Sequence, residues 1–264
     1  MGERDELVSN VRQLLELERG FGVDWLIRPE PSVAVRAAPP VAAPETGGAV
    51  VHAPPAASRP ALTVAPPAAS GISPTAELAA VAREANACTR CGLCRTRTKA
   101  VPGEGHLQPK LVFVGEGPGA EEDAQGRPFV GAAGQLLDKM IVAMGLTRAE
   151  VFIANVIKCR PPDNRTPEAE EIRACLPFLE RQLTALAPTV ICTLGNIPLR
   201  ALLDDERLGI TRVRGKRFAW RGVTLIPTFH PAYLLRNPDA KKPCWDDLKL
   251  VVKELGRELP VTRR

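Results

Sequence analysis

Four short apolar runs, each parted from the next by a stretch of helical periodicity, constrain this chain more than any other feature. The runs are residues 111–115, 151–157, 189–194 and 224–229. Each has the length of a strand and lacks the polar alternation of a half-exposed one. Between them, residues 132–144, 167–186 and 197–203 carry apolar side chains at helical spacing, and 245–255 does so again at the end. In the second of these helices Thr166 is the expected cap and Pro167 the first helical residue. Strands alternating with helices predict an α/β fold: a four-stranded parallel sheet with right-handed crossovers and a helical layer on each face.

The segment before the runs differs in kind. Residues 5–19 place Leu7, Val11, Leu14 and Leu15 at helical spacing, and Trp25-Leu26-Ile27 follow. From 29 to 73 the composition turns to Pro, Ala, Val and Ser with almost no charge, which reads as a flexible linker. The expected organisation is therefore a short N-terminal helix and docking segment (1–28), a linker (29–73) and one globular domain (74–264) opened by Ser73 as cap and Pro74 in the first turn. An apolar helical stripe with nothing local to bury it suits docking of residues 1–27 into a partner's groove. At 264 residues and 45% apolar, the chain can build one sizeable core, and its net charge of +5 favours a polyanionic partner. No apolar run reaches membrane-span length, and the first residues lack the layout of a signal peptide. A cytoplasmic monomer is expected.

In open parallel sheets, ligands sit beyond the carboxyl ends of the strands. The unusual residues of this chain gather there. The first strand runs into Gly115-Glu116-Gly117-Pro118-Gly119-Ala120-Glu121-Glu122-Asp123. The second carries Asn155, the third ends at Gly195-Asn196 and the fourth at Phe229-His230-Pro231. A glycine-rich turn alone is a weak signal, but all four ends together are a strong one. Asn155 lies within an apolar strand, where it is either a satisfied core amide or a reader that donates and accepts side by side. His230 is one of three histidines and precedes a proline that sets the next turn. Phe129, in Gly126-Arg127-Pro128-Phe129-Val130-Gly131, is either core or an exposed stacking face.

Seven cysteines in a cytoplasmic chain point to metal ligation rather than disulfides. Cys88, Cys91 and Cys94 form a double C-x2-C, and Cys159 and Cys175 come later; Cys192 and Cys244 read as inert. Such spacing fits zinc or an iron–sulfur cluster. Basic residues concentrate at Arg212, Arg214, Lys216, Arg217 and Arg221, around Gly215, as a candidate phosphate-binding face. After His230, Leu234-Leu235-Arg236 suits an apolar wedge for a base stack with a cation beside it.

Taken together, these motifs closely resemble the family 4, iron–sulfur uracil-DNA glycosylases. The first family motif is matched by Gly115-Glu116-Gly117-Pro118-Gly119 and the second by His230-Pro231-Ala232-Tyr233-Leu234-Leu235-Arg236-Asn237-Pro238. Between them, in order, stand Gly126-Arg127-Pro128-Phe129-Val130-Gly131 and Asn155-Val156-Ile157-Lys158-Cys159-Arg160-Pro161-Pro162. The resemblance covers about residues 76–257 and leaves the N-terminal arm aside. It implies a three-layer α/β/α domain and a [4Fe-4S] cluster on Cys88, Cys91, Cys159 and Cys175, with Cys94 an extra thiol. It implies excision of uracil from single- and double-stranded DNA in base excision repair, on the nucleoid. In the implied pocket Phe129 stacks on the base, Asn155 reads O4 and N3, His230 faces O2, and the backbone of Gly115, Glu116 and Gly117 lines the other side. Arg214, Lys216, Leu234, Leu235 and Arg236 are the expected DNA contacts. The arm would then recruit another repair or replication protein.

The best-known uracil glycosylases position water with an aspartate in the first motif, where this chain has Gly117. Glu122 is the expected substitute, or a block against thymine's methyl group, with Glu116 second. Relatives that trap uracil-DNA covalently use a histidine in a Lys-Arg-Arg-Ile-His insert, and residues 158–165 hold none. Family 5 enzymes share the cluster but have a less polar first motif than Glu116 makes here. The alternative from another class, a non-enzymatic iron–sulfur or zinc DNA-binding module, would leave Phe129, Asn155 and His230 unexplained.

Overall fold

The computed structural model describes residues 73–260. The expected N-terminal helix, its docking role and the linker up to residue 72 lie outside the described residues. The domain opens with α1 (Pro74–Ala87), capped as expected: the Ser73 hydroxyl accepts from the Ala76 N–H at 3.2 Å. Then follow β1 (Glu104–Gly105), β2 (Leu111–Gly115), α2 (Ala120–Gln125), α3 (Ala132–Ala143), β3 (Phe152–Asn155), α4 (Ala169–Leu186) and β4 (Val190–Leu194). The remainder is α5 (Asn196–Leu203), α6 (Ile210–Val213), β5 (Phe218–Trp220), β6 (Val223–Thr228), α7 (Pro231–Arg236) and α8 (Lys241–Glu254).

The sheet has six strands, not four, in the order β1-β3-β2-β4-β6-β5. The four apolar runs form its parallel centre, β3-β2-β4-β6. The two additional strands pair antiparallel at the edges, β1 on β3 and β5 on β6. They were illegible because two or three residues of mixed polarity carry no period. Every residue of β2 and β4 is buried, so both sheet faces are covered and the three-layer α/β/α arrangement holds. Phe113, Ile153, Ile191 and Ile226 are fully enclosed at its centre, each contributing roughly 1.5–3 kcal/mol by leaving water.

Two helix starts differ from expectation. The helix expected at Pro167 begins at Ala169, because Glu168 is the cap and its N–H is taken by the Glu171 carboxylate at 2.8 Å. Arg165 grips the same carboxylate. The last helix starts at Lys241, earlier than its apolar spacing suggested, since its first turn is polar and is entered from the single turn Pro238–Ala240.

Candidate active site

Gly115 closes β2 directly beside Asn155 at the end of β3. The two strands keep pairing beyond their formal ends, with Val156 N–H donating to Gly115 O and Ile157 N–H to Glu116 O. Glycine is required at 115 by close approach: a Cβ there would lie 2.4 Å from Asn155 Oδ1 and 2.6 Å from the Phe129 ring. At Gly117 it would lie 2.6 Å from the Ile157 side chain, so a larger residue there requires Ile157 to shift. The Phe129 and His230 rings are 5.6 Å apart and tilted by 33°. The carboxyl ends of β2, β3 and β6 thus bring Gly115, Phe129, Asn155 and His230 together.

Asn155 is buried, and among the described residues its Oδ1 has no hydrogen-bond partner. A buried acceptor left unmade costs roughly 1–3 kcal/mol, an expense native proteins carry where a ligand completes the bond. His230 caps α7 through Nδ1, which accepts from Ala232 N–H at 3.1 Å. Burial first, then the nearby Arg236 charge, lower its pKa to about 4, against a weaker opposing pull from Glu122. The ring is therefore neutral at physiological pH, and with Nδ1 accepting, its one proton sits on Nε2.

The two carboxylates, Glu122 and Glu116, have different surroundings. Glu122 accepts from the backbone N–H groups of Gly119, Val130 and Gly131 at 3.0, 2.8 and 2.9 Å. Three of roughly four acceptor sites are committed to holding loops. Burial raises the pKa of Glu116, and among the described residues no hydrogen bond reaches its carboxylate.

Cys88, Cys91, Cys94, Cys159 and Cys175 all line one cavity. Backbone Lys158 N–H donates to Cys175 Sγ at 3.2 Å, Arg97 Nη1 to Cys159 Sγ at 3.0 Å, and Arg90 N–H to Cys88 Sγ at 3.5 Å. Such donors stabilise thiolate charge. As bare thiols, Cys91, Cys159 and Cys175 are pushed up by burial, Cys175 to about 11. Among the described residues, no group of three or more His, Cys, Asp or Glu is arranged around a single metal ion. Cys192 and Cys244 are buried elsewhere, and Cys244 accepts from the Thr228 hydroxyl at 3.2 Å.

Two expected DNA contacts are corrected. Leu234 is 0% exposed and belongs to the core, whereas Leu235 is 47% exposed. The packing of α7 turns Leu234 inward and leaves Leu235 facing out. Arg214 uses its fork on Asp247 (2.9 and 2.7 Å) and lies 5.5 Å over the Phe229 ring. Asp247 also accepts from the Thr228 hydroxyl at 2.7 Å, so Arg214 braces the end of β6 below His230. Lys216 and Arg236 are exposed and in no ion pair among the described residues.

Sequence reading missed Lys158. It is fully buried without a carboxylate, and its Nζ donates to Asn155 O at 2.8 Å and Gln182 Oε1 at 2.7 Å. Burial lowers its pKa to about 8. It fastens the strand end bearing Asn155 to α4, which bears Cys175. Its place between Ile157 and Cys159 was the available signal.

The chain matches the family model described as the uracil DNA glycosylase superfamily over residues 102–249, more than half its length. It is 45% identical over 190 residues to a type-4 uracil-DNA glycosylase of Sulfurisphaera tokodaii, covering 69% of this chain and 84% of the relative. It is 51% identical over 158 residues to one of Thermotoga maritima, covering 60% and 82%. A type-5 enzyme of Pyrobaculum aerophilum is more distant, 32% identical over 157 residues, covering 53% and 68%. No helix among the described residues is long and apolar enough to cross a membrane. With a glycine turn at the carboxyl edge of a mixed sheet, and relatives of this identity, the chain belongs to the type-4 branch of the uracil-DNA glycosylase superfamily.

Proposed function

We propose that this protein excises uracil from DNA by hydrolysing the N-glycosidic bond and leaves an abasic site for base excision repair. The observation that carries the reading is the unpartnered Asn155 Oδ1, buried beside a phenyl ring and an imidazole with a committed tautomer. Uracil presents N3–H and O4 side by side, matching the acceptor and donors of one primary amide. Cytosine presents an acceptor at N3 and a donor at N4, so it mismatches the same amide twice. Stacking on Phe129 contributes roughly 1–3 kcal/mol, which helps offset extrusion of the nucleotide from the helix.

As the C1′–N1 bond breaks, its electron pair passes into the ring and charge builds on O2. The His230 Nε2–H is the donor for that charge, and its worth depends on being preset rather than reorganised. Water then forms the new O–C1′ bond and loses a proton. Glu116 is the carboxylate with free acceptor capacity for that water, while Glu122 serves first to hold the loops around it. Gly115, Glu116 and Gly117 line the pocket with backbone. Leu235 fills the gap left by the base, and Lys216 and Arg236 meet phosphates.

Cys88, Cys91, Cys159 and Cys175 would hold the [4Fe-4S] cluster. The support for the reading is that these thiols line one cavity and accept from the Lys158 N–H, Arg97 and the Arg90 N–H, donors that stabilise thiolate charge. Held there, the cluster would tie together the segment after α1, the loop after β3, and α4. The protein acts on single- and double-stranded DNA as a monomer, in the cytoplasm with the nucleoid. Oligonucleotides bearing one uracil, and matched ones bearing thymine, incubated with the protein and then treated with alkali, test the reading. Cleavage at uracil alone is expected; intact uracil strands contradict it.

A further inference from the structure

Phe129 has a left-handed backbone, φ 50°, which a bulky residue adopts only when its surroundings impose it. Three elements impose it here. On one side the Glu122 carboxylate accepts the N–H groups of Val130 and Gly131, the two residues after Phe129. On the other, the Arg148 guanidinium donates to the carbonyls of Pro128 and Phe129. Arg148 is itself oriented by Asp138 at 2.7 Å and Glu104 at 2.8 Å. Beneath lies Gly134 of α3, where any Cβ would stand 1.9 Å from Phe129 O. A carboxylate on the N–H groups and a guanidinium on the carbonyls hold the loop from opposite ends of its peptide dipoles.

We propose that Arg148 is a positioning residue for base recognition: with Glu122 opposite, it holds Phe129 left-handed and so sets the affinity for the pyrimidine ring. This rests on Phe129 being the stacking platform. Arg148 touches neither the amide nor the imidazole of the pocket, and acts only through the loop it grips. Lysine could pair with one carboxylate but could not serve two carboxylates and two carbonyls from one planar fork.

The test measures inhibition by free uracil, which reports the ring's affinity alone, beside binding of abasic-site DNA, which does not use the platform. Arg148→Ala is expected to raise the uracil Ki about ten-fold or more, the scale of a released backbone strain. Abasic-DNA binding and iron content should stay within two-fold of wild type. Arg148→Lys should fall between, and it keeps the question answerable where Arg148→Ala fails to fold. Arg127→Ala removes the other Glu104 ion pair and leaves the loop carbonyls alone, so it should keep the wild-type Ki. A wild-type uracil Ki in folded Arg148→Ala or Arg148→Lys, beside a weakened Phe129→Ala, overturns the clamp alone. So does an equal rise in Arg127→Ala, or a matching loss of abasic-DNA binding. A wild-type Ki in Phe129→Ala overturns the platform reading and the clamp with it.

Discussion

Replacing His230 separates two tasks that one imidazole performs. Its Nδ1 accepts from Ala232 N–H, which caps α7, and its Nε2–H is the donor left for a developing anion. Loss of one such donor costs on the order of 10²–10³ in rate, roughly 3–4 kcal/mol of transition-state stabilisation. Loss of a cap costs roughly 0.5–2 kcal/mol of stability. His230→Ala should show both. His230→Asn should show only the first, because a short amide oxygen still caps the helix but the side chain cannot reach the place of Nε2. The assay is single-turnover excision with enzyme in excess, alongside thermal unfolding. The pH dependence adds a second test. With the folded pKa near 4, the ring stays neutral and the histidine-dependent rate should hold from pH 8 down to about 5. Stability carries the same sign. The unfolded histidine, near 6.5, takes a proton before the folded one does. Its contribution is therefore complete above pH 6.5 and is lost as pH falls through 4, a shift of roughly 3 kcal/mol. A wild-type single-turnover rate in His230→Asn refutes the donor role. A wild-type acid limb near 6.5 that vanishes in the variant refutes the neutral ring.

Alanine at Cys88, Cys91, Cys159 or Cys175 should cost iron and solubility, while alanine at Cys94, Cys192 or Cys244 keeps the iron; metal analysis finding one zinc contradicts the cluster. Asn155→Asp replaces a donor by an acceptor and should weaken uracil excision while admitting cytosine, read by the same alkali assay on cytosine strands. Leu235→Ala should lower excision from double strands more than from single strands, whereas Leu234→Ala should destabilise the fold by roughly 2–5 kcal/mol and affect both alike. Lys216→Ala and Arg236→Ala should each flatten the salt dependence of DNA binding by about one unit; Arg214→Ala should instead lower the melting temperature. A chain beginning at Ser73 should keep its iron and its activity on naked DNA, if residues 1–27 serve only to recruit a partner; an inactive truncation shows that they belong to the folded enzyme.

The central sheet was legible because fully buried parallel strands must be continuous apolar runs: β2, β3, β4 and β6 all announce themselves. That His230, Asn155 and the glycine turn share one edge followed from topology, since parallel strands put all their carboxyl ends on one side. The pairing of Cys88 and Cys91 with Cys159 and Cys175 came from resemblance to a family; spacing by itself favoured Cys94. What the linear order could not show was which neighbour a polar side chain meets. Leu234 and Leu235 are equivalent as letters, and only the packing of α7 sends one inward. Arg214 and Lys216 both sit in a basic run, yet Asp247, 33 positions away from Arg214 along the chain, claims Arg214 alone. Glu122 stands out in the sequence as a carboxylate beside the glycine turn, but that three N–H groups from two loops converge on it only folding shows. Arg148 lies in no motif, and Lys158, though inside one, has its role set by the Asn155 carbonyl and the Gln182 amide oxygen, which only folding brings within hydrogen-bond reach.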